Sequence, residues 1–350
     1  MAQLEENKFQ WAENIRFLAT IGVIILHVSA PGLYGNIYTP EWMGLNVIDS
    51  VVRCCVPLFV MLSGALLLQK DRPLWTFYQN RLTRIVIPFL FWALTYCLVS
   101  FCKSFLHTGW DNAKQLAIDM LKDIFIYDGI FKHKAYHLWY VYMIMGLFII
   151  TPILRYWIKK VSKTGLTISL VIWYGLFYTY YYLGETFFPF FKLPIFVEYI
   201  GYYLLGYLIG NMSFEKLNTK IIFFCLFCFG GITAFGTYFL SSQCGHLDQT
   251  FYGYLSPNVV IFSITVFIGI KKTYITNTKL NDTIRFVTKF SFGIFLIHPL
   301  ILQSLKEIGI SSMLIHPLVG IPVTVSLCFF ISLSFIFMLH KIPGGKYLAG

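Results

Sequence analysis

Residues 12–31 read AENIRFLATIGVIILHVSAP, and this stretch decides the fold. An α-helix rises about 1.5 Å per residue, so a mainly apolar run of about 20 residues is long enough to cross a bilayer. Runs of similar length recur along the whole chain with short gaps between them. Of the 350 residues, 57% are hydrophobic and only 12% are charged, whereas about a quarter are charged in a typical soluble domain. The sequence therefore predicts an all-α, polytopic membrane protein.

Ten such runs can be read along the chain, and each is interpreted as a transmembrane helix. A transmembrane barrel would instead show short segments in which apolar and polar residues alternate. The predicted spans are residues 12–31, 44–68, 85–106, 138–157, 165–184, 195–212, 220–240, 254–270, 288–305 and 317–340. Because no internal repeat or linker separates them, residues 1–350 are predicted to form a single transmembrane domain.

The gap at residues 107–137 is longer than the others and mixes charged with apolar residues. This pattern is typical of an amphipathic helix that lies on a membrane surface. The charged residues in question are Asp111, Lys114, Asp119, Lys122, Asp123 and Asp128. We expect an extracytoplasmic segment with an interfacial helix, although these lysines make it an unusually charged outer loop.

Basic residues predict the orientation of the chain. The formal net charge is +11, but the Lys and Arg residues lie in short gaps between apolar runs, which favours membrane topology over nucleic-acid binding. With the N-terminus inside, the inner segments contain Lys70, Arg72, Arg81, Arg84, Arg155, Lys159, Lys160, Lys163, Lys216, Lys220, Lys271, Lys272, Lys279, Arg285, Lys289, Lys341 and Lys346. The outer gaps at 32–43 and 241–253 contain no Lys or Arg. Both termini are therefore predicted to be cytoplasmic.

The eight cysteines give no strong indication of a metal site. Most fall inside apolar runs, where a free thiol behaves as a small hydrophobic group. Cys225 and Cys228 have the spacing of half a metal site, but no second half follows at a suitable distance, so no metal is expected. Cys102 and Cys244 lie near the predicted outer face, and whether they pair is left open.

Arg16 and His27 lie in the first predicted span. Eleven steps of about 100° bring both side chains to one helix face, and the rise between them is about 16 Å. Arg16 is thus expected near the cytoplasmic surface and His27 in the middle or outer half of the membrane. Ionisable groups within lipid are costly and usually functional. The alternatives are that Arg16 is a topology anchor and that His27 makes only a helix–helix hydrogen bond.

Further polar residues are predicted at the level of His27 or towards the outer surface. His298 lies about ten residues into a span of the same direction, and Asp49 precedes Arg53 by one helical turn, so that the two can pair. The remaining members of this predicted polar cluster are His137, Trp139 and Glu198. Each has a structural explanation when taken alone, but together they predict a polar cavity open to the outside.

Arg81 and Arg84 precede the third predicted span on the cytoplasmic side. Two arginines three residues apart share a helix face and are suited to binding phosphate. Ordinary topology anchoring is the alternative.

Six short motifs, in order, resemble those of the acyltransferase-3 family of bacterial membrane O-acyltransferases that modify surface polysaccharides. They are NIR at 14–16 with His27 eleven positions after Arg16, VPLFVMLSG at 56–64, FYQNRLTR at 77–84 before Pro88, HLWY at 137–140, GYYLLGY at 201–207 and SFGIFLIH at 291–298. The resemblance covers nearly the whole chain, and the short stand-alone O-acetyltransferase type is the most similar.

The resemblance implies transfer of an acyl group, commonly acetyl, from cytoplasmic acetyl-CoA to a hydroxyl of a cell-surface or lipid-linked sugar, in the bacterial inner membrane. It implies that Arg16 and His27 are functional and that Arg81 and Arg84, with Arg16, bind the CoA phosphates. His27 is expected to act as a base or to carry the acyl group, and His298 or Arg53 to stabilise the oxyanion. A transporter or flippase for a lipid-linked sugar, and a non-catalytic partner of a glycan-assembly complex, are the alternatives.

Overall fold

A computed structural model describes residues 10–70, 73–125, 135–187 and 194–350 of the chain. The regular elements of this described part are all helical, which confirms the all-α prediction for it. The α-helices are α1 (Gln10–Ser29), α2 (Pro40–Val52), α3 (Cys55–Leu67), α4 (Leu74–Thr108), α5 (Trp110–Phe125), α6 (Trp139–Ile158), α7 (Lys163–Phe187), α8 (Ile195–Glu198), α9 (Ile200–Gly210), α10 (Thr219–Cys244), α11 (Pro257–Lys272), α12 (Thr278–Thr288), α13 (Ser291–Glu307), α14 (Pro317–Lys341) and α15 (Gly345–Ala349). Short 3₁₀-helices cover Ala30–Tyr34, Tyr136–Leu138 and Thr250–Tyr252.

Seven helices or continuous helix pairs in the described part are long and apolar enough to cross a membrane. They contain α1, α2–α3, α4, α6, α10, α11 and α14. An eighth is formed if α12 and α13, which meet at an angle of 68°, are counted as one broken span. The predicted span at 165–184 falls on α7, which is not among the seven, and the one at 195–212 falls on α8–α9, which is apolar but shorter. A multi-pass membrane protein is therefore confirmed, whereas the count of ten stays a prediction.

Helix α4 is longer than the sequence predicted. It has 35 residues and begins at Leu74, so Arg81 and Arg84 lie inside the helix rather than ahead of it. Arginine has a straight side chain and a good helix propensity, so a helix that leaves the apolar layer has no reason to stop at these residues. A helix of this length measures about 52 Å, which exceeds the hydrocarbon thickness of about 30 Å. The helix therefore begins eleven residues before the predicted span at 85–106, whose limits within the membrane stay a prediction.

Helix α1 lies at the centre of the bundle. Ile24 and Val28 belong to a buried apolar cluster that also contains residues of α4, α13 and α14. Ala19 and Val23 belong to a second cluster, which is shared with α3, α6 and α9. The helix that carries Arg16 and His27 is thus held between the two main parts of the core.

Glycines bring α3 and α9 into backbone contact. A Cβ atom placed on Gly64 of α3 would lie 1.8 Å from the carbonyl oxygen of Tyr203, and one placed on Gly206 of α9 would lie 1.9 Å from that of Met61. Small residues at helix interfaces allow this close approach within a membrane. Both glycines belong to the motifs that the sequence analysis singled out.

The bundle has two chemically different ends. At the end where α1 begins and α3, α6 and α11 terminate, basic side chains are concentrated, and we call this the basic end. It includes Arg81, Arg84, Arg155, Lys271 and Lys272. Helices α1 and α13 terminate and α14 begins at the opposite end, which we call the histidine end because His27 lies close to it.

Two cations at the basic end bind the last carbonyl groups of α3 and α9. Arg155 donates from Nε and Nη2 to the carbonyl of Leu67, at 2.9 and 2.7 Å. Lys271 Nζ donates to three carbonyls at the end of α9, including that of Gly210 at 2.6 Å. The terminal carbonyls of a helix lack intrahelical donors, and a cation there also favours the helix dipole. These two residues therefore stabilise the helix pair besides contributing to the charge bias.

The segment predicted as amphipathic does contain such a helix. Helix α5 buries Ala113 and Met120 on one face, while Asp111 and Lys114 are exposed. It follows α4 directly, after Gly109 turns the chain with a positive φ of 84°, and packs back against α4. Its placement at the membrane interface stays a prediction, and Asp128, like Arg72, lies outside the described residues.

The cysteines in the structure are all free thiols. Cys102 on α4 and Cys244 at the end of α10 are exposed and do not form the disulfide that the sequence left open.

Candidate active site

His27 of α1 and His298 of α13 lie against each other near the histidine end. Their ring centroids are 5.2 Å apart and the ring planes differ by 28°, which is a stacked arrangement. The sequence placed both residues at a similar depth, and the structure shows that they are neighbours. His298 is fully buried, whereas His27 is partly accessible.

The residue after His298 determines how its ring is oriented. Pro299 has no backbone N–H, so the carbonyl of Phe295 loses the donor that it would have in a regular helix. His298 Nδ1 occupies this position and donates to that carbonyl at 2.7 Å. In the neutral ring the proton is therefore on Nδ1, and Nε2 has a free lone pair. Nε2 is buried and has no hydrogen-bond partner among the described residues.

His137 is the third histidine of this cluster. It lies in the 3₁₀-helix that precedes α6, is 1% exposed, and meets His298 edge-on at a centroid distance of 5.6 Å. Tyr96 of α4 lies on another side of its ring, at 5.3 Å. Both ring nitrogens of His137 are buried without a hydrogen bond in the described part of the chain. Three elements that are far apart in sequence thus bring three imidazoles together.

Tyr136 is a neighbour of His27 that the sequence analysis missed. Its hydroxyl oxygen is 3.3 Å from Nδ1 of His27, and the two rings meet edge-on at a centroid distance of 5.1 Å. The only available signal was its position directly before His137 in a predicted motif. An interaction between α1 and the start of α6 has no periodicity that a single sequence could reveal.

His27 and Tyr136 line a cavity of about 420 Å³ at the histidine end. Gln303, Lys306 and Thr324 contribute polar groups to the same wall. The rest of the lining includes the turn after α1, with Pro31 and Gly32, and the connection from α13 to α14, with Ile310, Ser311, Ser312 and Met313. A polar cavity was predicted here, but His27 is the only lining residue among those that the sequence proposed for it.

Asp49 and Arg53 form the ion pair that their spacing predicted. Arg53 Nε donates to Asp49 Oδ2 at 2.6 Å, and Ser29 Oγ donates to the other carboxylate oxygen at 2.9 Å. The Arg53 guanidinium also lies over the ring of Tyr252, 4.0 Å from its centroid. Arg53 is located in the break between α2 and α3 and interacts electrostatically with His27. The pair thus connects α1, α2 and the loop before α11 beside the histidines.

Two members of the predicted polar cluster make no described contact with the histidines. Trp139 packs against aromatic rings rather than against the histidines, with Tyr199 at 5.7 Å and Tyr254 at 6.0 Å. Glu198 ends the short helix α8, and no contact described for it joins the histidine cluster. Their grouping with His137 stays a prediction, because similar depth in the membrane does not specify which side of a helix faces which neighbour.

The predicted phosphate-binding residues lie at the basic end. Arg16 lies near Glu13 and near Tyr140 of α6. Arg81 is partly buried and close to Tyr203 of α9, whereas Arg84 is exposed. Arg16 and His27 are thus on one helix with about 16 Å between them along its axis, and they belong to opposite ends of the bundle.

A family model described as an acyltransferase domain, that of the acyltransferase-3 family, matches residues 9–339. No curated protein and no solved structure matches the chain. The matched region contains α1 to α14 almost completely and includes the histidine cluster, the cavity and the arginines of the basic end. The chain therefore belongs to the acyltransferase-3 family and is a membrane acyltransferase.

Proposed function

We propose that the protein moves an acyl group, acetyl in the first instance, from acyl-CoA at the basic end to a sugar hydroxyl at the histidine end. The observation that carries this proposal is the position of His27 on the wall of a cavity that opens at the histidine end, with Arg16 on the same helix towards the basic end. The acceptor is a cell-surface glycan or a lipid-linked sugar. Membership of the family is the basis for proposing acyl transfer, and the difference between the two ends of the bundle is the basis for its proposed direction.

The basic end is assigned to the cytoplasm. Lysine and arginine are enriched on the cytoplasmic side of membrane proteins, and acyl-CoA is supplied from that side. The histidine end then faces the outside of a bacterial inner membrane, where the acceptor would enter the cavity.

Arg81, Arg84 and Arg16 are proposed to hold the phosphates of the acyl donor. A guanidinium presents paired N–H donors to phosphate oxygens, and Arg84 is exposed where the nucleotide end of CoA would approach. The uncharged pantetheine arm would extend into the bundle along α1. The thioester would then reach the level of His27.

His27 is proposed to act as the base. With Nδ1–H donating to the Tyr136 oxygen, the His27 Nε2 lone pair would take the proton from the acceptor hydroxyl as its oxygen attacks the thioester carbonyl carbon. The tetrahedral oxyanion would then collapse, the carbon–sulfur bond would break, and the protonated His27 would return the proton to the leaving thiolate. Transfer through an acyl-His27 intermediate is the alternative route.

The surrounding groups suggest how the oxyanion is stabilised. A neutral His298 whose proton is on Nδ1 has no N–H left at Nε2, so it would accept a hydrogen bond rather than donate one. This differs from the expectation that His298 donates to the oxyanion. We assign that role to Arg53, which is paired with Asp49 and interacts electrostatically with His27. We assign His298 to supporting the His27 ring, on which it stacks.

The test is acetyl transfer by purified protein in vesicles, with labelled acetyl-CoA and a glycan extract as acceptor. His27→Ala should bind acetyl-CoA normally but lose transfer by at least about 100-fold, as is typical for loss of a general base. Arg81→Ala combined with Arg84→Ala should instead weaken acetyl-CoA binding. His246→Ala, which changes an exposed histidine at the same end, is the matched control and should have no effect.

Undiminished transfer by the folded His27→Ala protein would eliminate the proposed mechanism. Movement of a lipid-linked sugar across the vesicle without acetyl transfer would favour a transporter or flippase. The absence of both activities would favour a non-catalytic partner of a glycan-assembly complex.

A further inference from the structure

We propose that the acceptor carries a negatively charged group, a carboxylate or a phosphate, and that this group binds Lys306 in the cavity that contains His27. The inference rests on the proposed acyl transfer and adds the chemical class of the acceptor. It rests on the charge of Lys306 and on the unpaired hydroxyl of Thr324 in the cavity wall.

Lys306 is an exposed cation on the last turn of α13 and lines the cavity. No ion pair to Lys306 is formed within the described chain. The adjacent Glu307 instead binds Lys103 of α4, with an Nζ–Oε1 distance of 2.5 Å. The cavity therefore has a positive charge on its wall that no nearby carboxylate of the described residues neutralises.

The location of Lys306 is not explained by membrane topology. Basic residues are concentrated at the opposite end of the bundle. Of the other connections at the histidine end, residues 32–43 and 241–253 contain no Lys or Arg, whereas residues 107–137 contain Lys114 and Lys122. A cation on the outer side acts against the preferred orientation of the chain. The cation lines the cavity of His27, which suggests that it is retained for a ligand.

Thr324 is a second, independent observation at the same cavity. Its side chain is 3% exposed, lines the cavity, and its hydroxyl has no hydrogen-bond partner among the described residues. Other helical threonines, such as Thr20 and Thr151, donate to the carbonyl four residues earlier. Because buried polar groups are nearly always hydrogen-bonded, the hydroxyl of Thr324 is expected to bind a polar ligand in the cavity.

The spacing along α13 places the charge away from the reacting atoms. Lys306 is eight residues beyond His298, which corresponds to about 12 Å of helix, and His298 stacks on His27. The negative group thus belongs to a part of the acceptor that is remote from the acylated hydroxyl. It is either the carboxylate of a neighbouring sugar acid or the phosphate that links the sugar to a lipid.

The experiment uses the full-length protein in vesicles with labelled acetyl-CoA. The acceptors are envelope glycans and lipid-linked sugars, separated by anion exchange into neutral, carboxylate-bearing and phosphate-bearing fractions. We compare the wild-type protein with Lys306→Gln and with Lys114→Gln, which removes an exposed positive charge from α5 at the same end. His27→Ala reports whether the label depends on the proposed catalytic site.

The wild-type protein should label one anionic fraction in preference to the neutral one, and the fraction that is labelled identifies the source of the charge. Lys306→Gln should raise the KM for that fraction about fivefold, leave kcat nearly unchanged, and remove the preference. The preference of the wild-type protein should also shrink in about 1 M salt, where the Debye length is about 3 Å. Lys114→Gln should behave as the wild-type protein.

Equal labelling of the neutral fraction, or a KM that Lys306→Gln does not change, would overturn this inference while leaving the proposed transfer intact. If the wild-type protein labels no fraction from acetyl-CoA, then the proposed function fails and this inference fails with it.

Discussion

At the scale of single residues, the chemistry of the site depends on neighbouring groups that set the proton position or balance the charge of each side chain. Pro299 leaves the carbonyl of Phe295 without a backbone donor, and His298 Nδ1–H donates a hydrogen bond to it. The hydroxyl of Tyr136 lies within hydrogen-bond distance of Nδ1 of His27. Asp49 neutralises Arg53, so a guanidinium can lie beside the histidines without being an unpaired buried charge. These pairs explain how three imidazoles and an arginine share one region of an apolar bundle.

The Asp49–Arg53 pair gives a prediction about stability. Asp49→Ala should destabilise the protein by about 3 kcal/mol, because it leaves the nearly buried Arg53 cation without its partner. The measurement is thermal unfolding in detergent micelles, with Asp111→Ala on the exposed face of α5 as the control. The double variant Asp49→Leu with Arg53→Met should regain most of the stability, since it removes both charges. A single variant as stable as the wild-type protein would show that the pair is not needed for the fold.

At the scale of helices, the closest packing in the bundle is that of α3 against α9. Each helix presents a glycine to the backbone of the other, and each has its last carbonyl groups bound by a cation, Arg155 for α3 and Lys271 for α9. The two helices therefore pack as one unit. Their axes lie close together because the glycine at each contact has no side chain. Helix α9 has only 11 residues, so this contact compensates for its small size.

Gly64→Ala tests the close approach of these helices. The new methyl group would meet the Tyr203 backbone, which cannot move aside as a flexible side chain would, so α3 and α9 must separate. We expect a loss of about 3 kcal/mol or failure to accumulate folded protein. Gly44→Ala in α2 is the matched control, because its Cβ would have no atom within 4 Å. That control should be neutral or should stabilise by about 0.5 kcal/mol. Equal melting temperatures for the two variants would contradict this account of the interface.

At the scale of the whole molecule, the protein is a bundle with basic residues concentrated at one end and the cavity that contains His27 towards the other. Helix α1 connects them, with Arg16 near its start and His27 near its finish. The proposed transfer needs the two ends to face opposite sides of the membrane, with the basic end in the cytoplasm. The direction of the chain across the membrane is thus part of the mechanism.

Labelling of single cysteines would measure this direction. A variant that retains only Cys244, which is exposed at the histidine end, should react with a membrane-impermeant maleimide in right-side-out vesicles. A cysteine-free protein with Lys216→Cys, at the basic end, should react only after the vesicles are permeabilised. The reverse pattern would place Arg81 and Arg84 outside and would exclude their proposed role with cytoplasmic acyl-CoA.

The sequence by itself determined the class of protein, the family and the helix that carries Arg16 and His27. Bilayer thickness and helical periodicity act within a single segment, so a run of about 20 apolar residues and an eleven-residue spacing can be read without knowing the fold. The ends of α4, the small size of α9 and the exact set of membrane-crossing helices were not readable, because a helix can continue past the apolar layer or be held by its neighbours.

Only the tertiary structure decided which polar residues meet. His27, His137 and His298 come from three segments that are distant in the sequence, whereas no described contact joins Trp139 or Glu198 to these histidines. Lys306 and Thr324 carried no signal in the sequence, and Tyr136 had only its position before His137, because these residues matter through their positions on the cavity wall. Depth in the membrane follows from position along a helix, but rotation and packing of the helices determine which side chains face each other.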